Sequence, residues 1–248
     1  LESQDYSGQS SLFEQETRTN RPVTNNGPLR ELLRPVKLDE IAGNQEVIKS
    51  VVNSTKISGR HVILYGPPGI GKTTTCEIIA KELGQFFIRY QPAIETLSLL
   101  KQKVIDLERS SRSHNKSFLF IDEIHRLDKK QQDFLLPHLE KGTFQLLAAT
   151  TELPQTFLNS AMISRVNIYE FNLLSRSELS KIIARAEDYL NIKLNEEQKS
   201  AINDLSNGDG RKTVQLLEKF YSEKLMTVDL SMEQFVQRIS SGVINSFT

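Results

Sequence analysis

The apolar residues fall into two kinds of run, and their order predicts the architecture. Between positions 44 and 171, short apolar stretches alternate with stretches in which apolar residues recur every three or four positions. Positions 61–65 (His-Val-Ile-Leu-Tyr), 86–90, 117–121, 143–149 and 166–171 read as strands. The run at 117–121 (Ser-Phe-Leu-Phe-Ile) has the unbroken apolar character of a strand buried on both faces of a parallel sheet. Helical spacing is found between them. Asn44 is expected to cap a helix to about position 57, with Val47, Ile48, Val51 and Val52 inward. Further helices are predicted at 74–83, at 94–109 (Leu97, Leu100, Val104, Ile105, Leu107), and from an Asp128/Gln131 capping box through Leu139. A short helix is expected within 154–163.

Beyond Leu173 the alternation stops. Capping boxes at Ser175/Glu178 and Asn195/Gln198 open two helices, positions 211–225 form a third, and 231–239 a fourth. Strands alternating with helices, followed by helices alone, imply two units. The division is therefore an α/β domain at 28–172 and a small helical domain at 173–248. Residues 1–27, polar and without apolar periodicity, read as a disordered tail.

Composition narrows the function only modestly. The chain has 248 residues, 38% hydrophobic and 25% charged, ordinary values for a globular protein. Its 31 basic and 31 acidic residues cancel, so any nucleic-acid contact must come from local patches. The single cysteine, Cys76, permits neither an intrachain disulfide nor a zinc cluster, and reads as a small buried apolar residue. No apolar run approaches the length of a membrane span, and no signal peptide opens the chain. It begins with Leu1, not Met, and reads as part of a longer protein.

Chemistry concentrates between the first strand and the helix after it, in Gly66-Pro67-Pro68-Gly69-Ile70-Gly71-Lys72-Thr73. A glycine-rich turn there directs unpaired backbone N–H groups inward, and with the positive helix end they cradle phosphate oxygens. Lys72 adds a point charge for the terminal phosphates, and the Thr73 hydroxyl is placed to ligate Mg²⁺. Two carboxylates, Asp122 and Glu123, end the strand at 117–121, on the edge where ligands of open α/β sheets sit. Asp122 is expected to order the Mg²⁺ shell and Glu123 to polarise the attacking water. At the tip of the 143–149 strand, Thr150 or its neighbour Thr151 would sense the γ-phosphate or orient water. His125 has no ligand partners at metal spacing and reads as a supporting group, and Lys129 and Lys130 as a solvated face.

Together these residues resemble one family. Arg34-Pro35, Ile41-Ala42-Gly43, GPPGIGKTT (66–74), FLFIDEIHR (118–126), QQDFLLPHLEKG (131–142), AATTELPQTFLNSAMISR (148–165) and NGDGRKTVQLLE (207–218) occur in the order found in AAA+ ATPases. The wording between 118 and 165 resembles the RarA/MgsA replication-associated recombination ATPases, relatives of clamp-loader subunits and of the Holliday-junction motor RuvB. The resemblance covers about residues 28–220. It implies a P-loop AAA+ core with a five-stranded parallel sheet flanked by helices, a helical lid, and Mg²⁺-dependent ATP hydrolysis coupled to DNA at stalled forks or single-stranded gaps. The alternatives are a clamp-loader-like or Holliday-junction branch-migration ATPase, or an ATP-gated scaffold on the sliding clamp. It implies that Lys72, Thr73 and Thr74 meet the phosphates, that Thr150 is the first sensor, and that Arg165 is an arginine finger reaching a neighbouring subunit. Arg211 would be the second sensor, and the box around Ile41 and Ala42 would contact adenine. A homo-oligomer and a bacterial cytoplasmic, nucleoid-associated setting follow, or a nuclear one in a eukaryote.

Three features depart from the family pattern. Glu152-Leu153-Pro154 replaces Glu-Asn-Pro, Gly210 replaces a larger residue, and the family's C-terminal oligomerisation domain would lie beyond Thr248. In the tail, Gln9, Leu12 and Phe13 resemble the short peptides with which bacterial replication proteins dock on the sliding clamp, two apolar side chains for a groove and an amide for its rim.

Overall fold

The computed structural model describes residues 27–58, 60–83, 86–111, 117–222, 234 and 236–237. The tail peptide at Gln9, Leu12 and Phe13 lies outside them, as does most of the helix expected at 231–239.

A parallel sheet of five strands forms the centre: β1 (His61–Tyr65), β2 (Phe87–Tyr90), β3 (Phe118–Asp122), β4 (Gln145–Thr150) and β5 (Val166–Glu170). Their spatial order is β2-β3-β4-β1-β5. The inner strands β1, β3 and β4 are buried almost throughout, whereas the edge strands β2 and β5 are half-buried. That difference explains why the inner strands carry the densest apolar runs.

Strand periodicity divides the core into two layers. Val62, Leu64, Phe118, Phe120, Leu147 and Ala149 face one side. Ile63, Leu119, Ile121, Leu146 and Ala148 face the other. The first layer is closed by α2 (Gln45–Asn53) and α3 (Lys72–Glu82), the second by α4 (Leu97–Ser111), α5 (Lys129–Lys141) and the short α6 (Ser160–Ile163). Cys76 is fully buried in the first layer, and burial pushes its thiol pKa up.

A third cluster holds the helical lid of α7 (Arg176–Leu190), α8 (Glu196–Ser206) and α9 (Gly210–Ser222), around Ile183, Ile202, Leu217 and Phe220. The capping boxes expected at Asp128, Ser175 and Asn195 are all formed. Leu29 and Leu33, in and just after the short α1 (Leu29–Leu32), join this lid cluster. The Leu29 amide donates to Glu218 Oε1 at 2.9 Å. Arg185 Nη2 donates to the Glu40 carbonyl at 2.5 Å, so the segment before the sheet also reaches the lid.

The expectation that Asn44 caps α2 is corrected. Asn44 adopts a left-handed backbone (φ 56) and makes no side-chain cap. Its amide instead brackets Asn172, donating to the carbonyl at 3.1 Å and accepting from the amide N–H at 2.8 Å. The α-helix also ends earlier than expected, at Asn53, and continues as a π-helical turn from Ser54 to Ser58. Among the described residues no helix is long and apolar enough to cross a membrane.

Candidate functional site

The carboxyl ends of β1, β3 and β4 converge because the sheet register aligns them. Tyr65 pairs with Thr150, and Asp122 pairs with Ala149. The loop from Gly66 to Gly71 leaves this edge and enters α3 at Lys72. Ile70 is buried in the first core layer and anchors the loop, while Pro68 is exposed. The Gly71 carbonyl accepts the first helical bond, from Thr75 N at 2.8 Å, and the Thr75 hydroxyl at 2.9 Å. The first-turn N–H groups of α3 lie at a helix end that favours anions.

Lys72 is buried, with its ammonium on the carbonyls of Gly66 (2.7 Å) and Pro67 (2.5 Å). Burial lowers its pKa to about 8, Arg211 adding to the shift while Asp122 and Asp209 oppose it. A desolvated ammonium beside a helix N-terminus fits a polyphosphate, whose charge would compensate both.

Beside it, the Thr73 hydroxyl donates to Asp122 Oδ1 at 3.2 Å. Two oxygen donors in contact suit Mg²⁺. That ion takes few protein oxygens and shares the rest of its shell with phosphates and water. Thr150 is buried at the tip of β4, while Thr151 is exposed. The Thr150 hydroxyl lies 3.0 Å from His125 Nδ1 and accepts from Glu152 N at 3.0 Å. His125 thus supports the strand tip, as its lack of ligand partners suggested.

Outer residues behave differently. Glu123 sits in a left-handed conformation (φ 55), exposed, and its carboxylate accepts from Arg126 Nε at 2.6 Å. Arg165 donates to Glu140 (2.6 Å), the Ala161 carbonyl (2.7 Å) and the Ser164 hydroxyl (3.0 Å) of its own chain. Arg211 is exposed on the first turn of α9. Ile41 and Ala42 are buried with Ile70 and Leu174, and Gln45 Nε2 holds the Ile41 carbonyl at 2.6 Å. Thr74, the last of the loop residues named from the sequence, accepts from Arg34 Nε at 3.4 Å.

Three neighbours were not identified from the sequence. Asp209 abuts Gly69, and the Gly210 amide donates to the Gly69 carbonyl at 3.0 Å, joining lid to loop. Arg126 holds Glu123, and Arg89 holds Asp122. The signal for Arg89 was a charge inside the apolar run at 86–90. For Asp209 it was an N-cap residue two positions before Arg211, where its carboxylate accepts from Lys212 N at 3.0 Å.

This geometry accords with the relatives. The profile of the Holliday junction DNA helicase RuvB P-loop domain matches residues 33–178. The chain is 34% identical over 202 residues to replication-associated recombination protein A of Escherichia coli K12, covering 77% of this chain and 45% of that protein. It is 32% identical over 213 residues to the ATPase WRNIP1 of Dictyostelium discoideum, covering 81% and 24%. Among solved structures, the Thermotoga maritima RuvB Holliday junction branch migration motor superposes with a TM-score of 0.68 at 28% identity, covering 84% of this chain and 72% of that one. The chain spans less than half the length of these two curated relatives.

Proposed function

The chain belongs to the AAA+ ATPases of the replication-associated recombination protein A family, with a RuvB-type P-loop domain, and on that premise we propose that it is a Mg²⁺-dependent ATP hydrolase acting on DNA during replication, recombination and repair, at stalled forks or single-stranded gaps. The observation that carries the catalytic part is the meeting of Thr73 and Asp122 beside the buried Lys72. The relatives' names support the DNA part.

In this reading the Gly66–Gly71 loop and the N-terminus of α3 orient the triphosphate, and Lys72 shifts its ammonium from loop carbonyls to phosphate oxygens. Thr73 and Asp122 would hold Mg²⁺, which when bound neutralises phosphate charge. Ile41 and Ala42 form the floor toward adenine. Glu123, released from Arg126, takes the proton of the attacking water, and Thr150 orients that water or senses the γ-phosphate. Arg165, in exchange for Glu140, would reach the phosphate of an adjoining protomer, so that a homo-oligomer is the active form. Arg211 would report nucleotide to the lid. The tail peptide at Gln9, Leu12 and Phe13 would dock on the sliding clamp of a bacterial replisome, placing the protein at the nucleoid. A second reading, a Holliday-junction branch-migration motor, is favoured by the likeness to RuvB.

Steady-state ATP hydrolysis, with and without DNA carrying a single-stranded end, tests this. Glu123→Gln should lower turnover by about 10²–10⁴-fold while retaining ATP binding. Unchanged turnover in that variant would remove Glu123 from the chemistry. Turnover indifferent to every DNA would favour an ATP-gated scaffold over a DNA motor, and branch migration of a four-way junction would favour the second reading.

A further inference from the structure

The two oxygens of Asp122 are engaged differently. Oδ1 faces Thr73, whereas Oδ2 accepts from Arg89 Nη2 at 2.5 Å. Arg89 comes from the edge strand β2, and its position is fixed on three sides. Its Nη1 donates to Glu77 Oε1 at 3.3 Å, and its guanidinium carbon lies 5.6 Å from the centroid of the Phe120 ring. Glu77 is held in turn by Arg34 Nη2, 2.7 Å from Oε2.

We propose that Arg89 is a positioning residue for the cation site, clamping Oδ2 so that Oδ1 stays turned toward Thr73. The inference rests on the reading of Thr73 and Asp122 as the cation-holding pair. A carboxylate rotates about a broad two-fold torsion, so an unclamped Asp122 would have to be ordered each time a cation binds. A guanidinium is suited to the task because its planar fork spans two carboxylates in a fixed geometry, which an ammonium does not. Repulsion between Arg89 and a divalent cation would act in the opposite direction. It is moderated here because two guanidinium groups, of Arg34 and Arg89, are matched by two carboxylates, of Glu77 and Asp122.

The test is titration of the chain with a fluorescent, non-hydrolysed ATP analogue, in EDTA and across Mg²⁺ concentrations, with a thermal melt of each variant. Arg89→Ala should raise the Mg²⁺ concentration needed for half-maximal enhancement of binding by about 10–100-fold, the range for partners that orient metal ligands. Affinity in EDTA should stay at the wild-type value. Arg89→Lys, which keeps the charge and loses the fork, should retain most of the shift. An unchanged or lowered Mg²⁺ midpoint in Arg89→Ala overturns the proposal. If that variant fails to melt cooperatively, Arg89→Lys decides by the same criterion, a raised midpoint supporting the clamp and an unchanged one overturning it. Wild-type binding indifferent to Mg²⁺ would instead overturn the reading of Thr73 and Asp122, and the clamp with it.

Discussion

The inner and outer halves of the site are built on opposite principles. The inner half is Lys72, Thr73, Asp122 and Thr150, set on strand ends and a helix start, Lys72 and Thr150 buried, Thr73 and Asp122 half-buried, and all hydrogen-bonded into the fold. The outer half is Glu123, exposed, and Arg165, half-buried, each tied by charge to an exposed neighbour on its own chain, Arg126 and Glu140. Buried contacts on rigid elements are costly to rearrange, whereas exposed ion pairs contribute only about 0–1 kcal/mol and exchange partners readily. The contrast fits the proposed ATPase, which would hold nucleotide in a preformed seat and withhold hydrolysis until its charged groups are re-paired.

The largest expected effect lies in the outer half. If Arg165 leaves Glu140 for the phosphate of an adjoining protomer, Arg165→Ala should lower turnover by about 10³–10⁵-fold, the range for finger arginines, with nucleotide affinity retained. Mixing Arg165→Ala with Glu123→Gln should restore part of the activity. In mixed assemblies an intact finger from one variant faces an intact Glu123 from the other. Turnover of the mixture at the sum of its parts would mean that the arginine does not act in trans, and the division between halves would lose its subunit meaning.

This division also marks where the sequence was legible. The inner strands were readable because burial on both faces forces continuous apolar runs. The phosphate loop was readable because its residues are contiguous. Local capping was read correctly at Asp128, where nothing competes with it, and wrongly at Asn44, where two hydrogen bonds to Asn172 outweigh one to the helix end. The long-range ion pairs were not readable at all. Arg165 and Glu140 are 25 positions apart and Arg89 and Asp122 33 apart, and no local period connects such residues. Nor did Leu29 and Leu33 announce that they complete the lid. Only the tertiary arrangement assigns them.

A middle-sized effect sharpens the claim that the inner half is rigid. A Cβ on Gly69, whose φ is +72, would lie 1.7 Å from Asp209 Oδ1. Gly69→Ala therefore incurs the left-handed penalty of about 1–2 kcal/mol and also displaces Asp209, just before α9 of the lid. Nucleotide affinity, measured by fluorescence titration, should fall by at least about tenfold. Gly210→Ala is milder. Its Cβ would meet the movable end of Ile182 at 2.8 Å and the Gly69 carbonyl at 3.1 Å, while the helix, of which Gly210 is the first residue, gains less than the interior-position value of about 1 kcal/mol. That variant should fold as stably as wild type and bind nucleotide slightly less well. Full affinity in Gly69→Ala would mean that the loop yields, and that the inner half is no more fixed than the outer.

The smallest effect comes from the charge state of Lys72. Burial lowers its pKa to about 8, and phosphate oxygens favour the charged form, so binding raises that pKa again. Below the free-state value the ammonium is already charged and affinity is flat with pH. Above it, each binding event must take up a proton, and affinity should fall severalfold between about pH 7 and pH 9. Calorimetric titration in buffers of different ionisation enthalpy reads this directly, as net proton uptake near the upper end and none near neutrality. Lys72→Arg, which stays charged throughout, should bind with no uptake from this position and a flatter profile. Proton release, or a profile in Lys72→Arg as steep as in wild type, would assign the titration to another group. The seat would then not owe its phosphate affinity to a desolvated lysine.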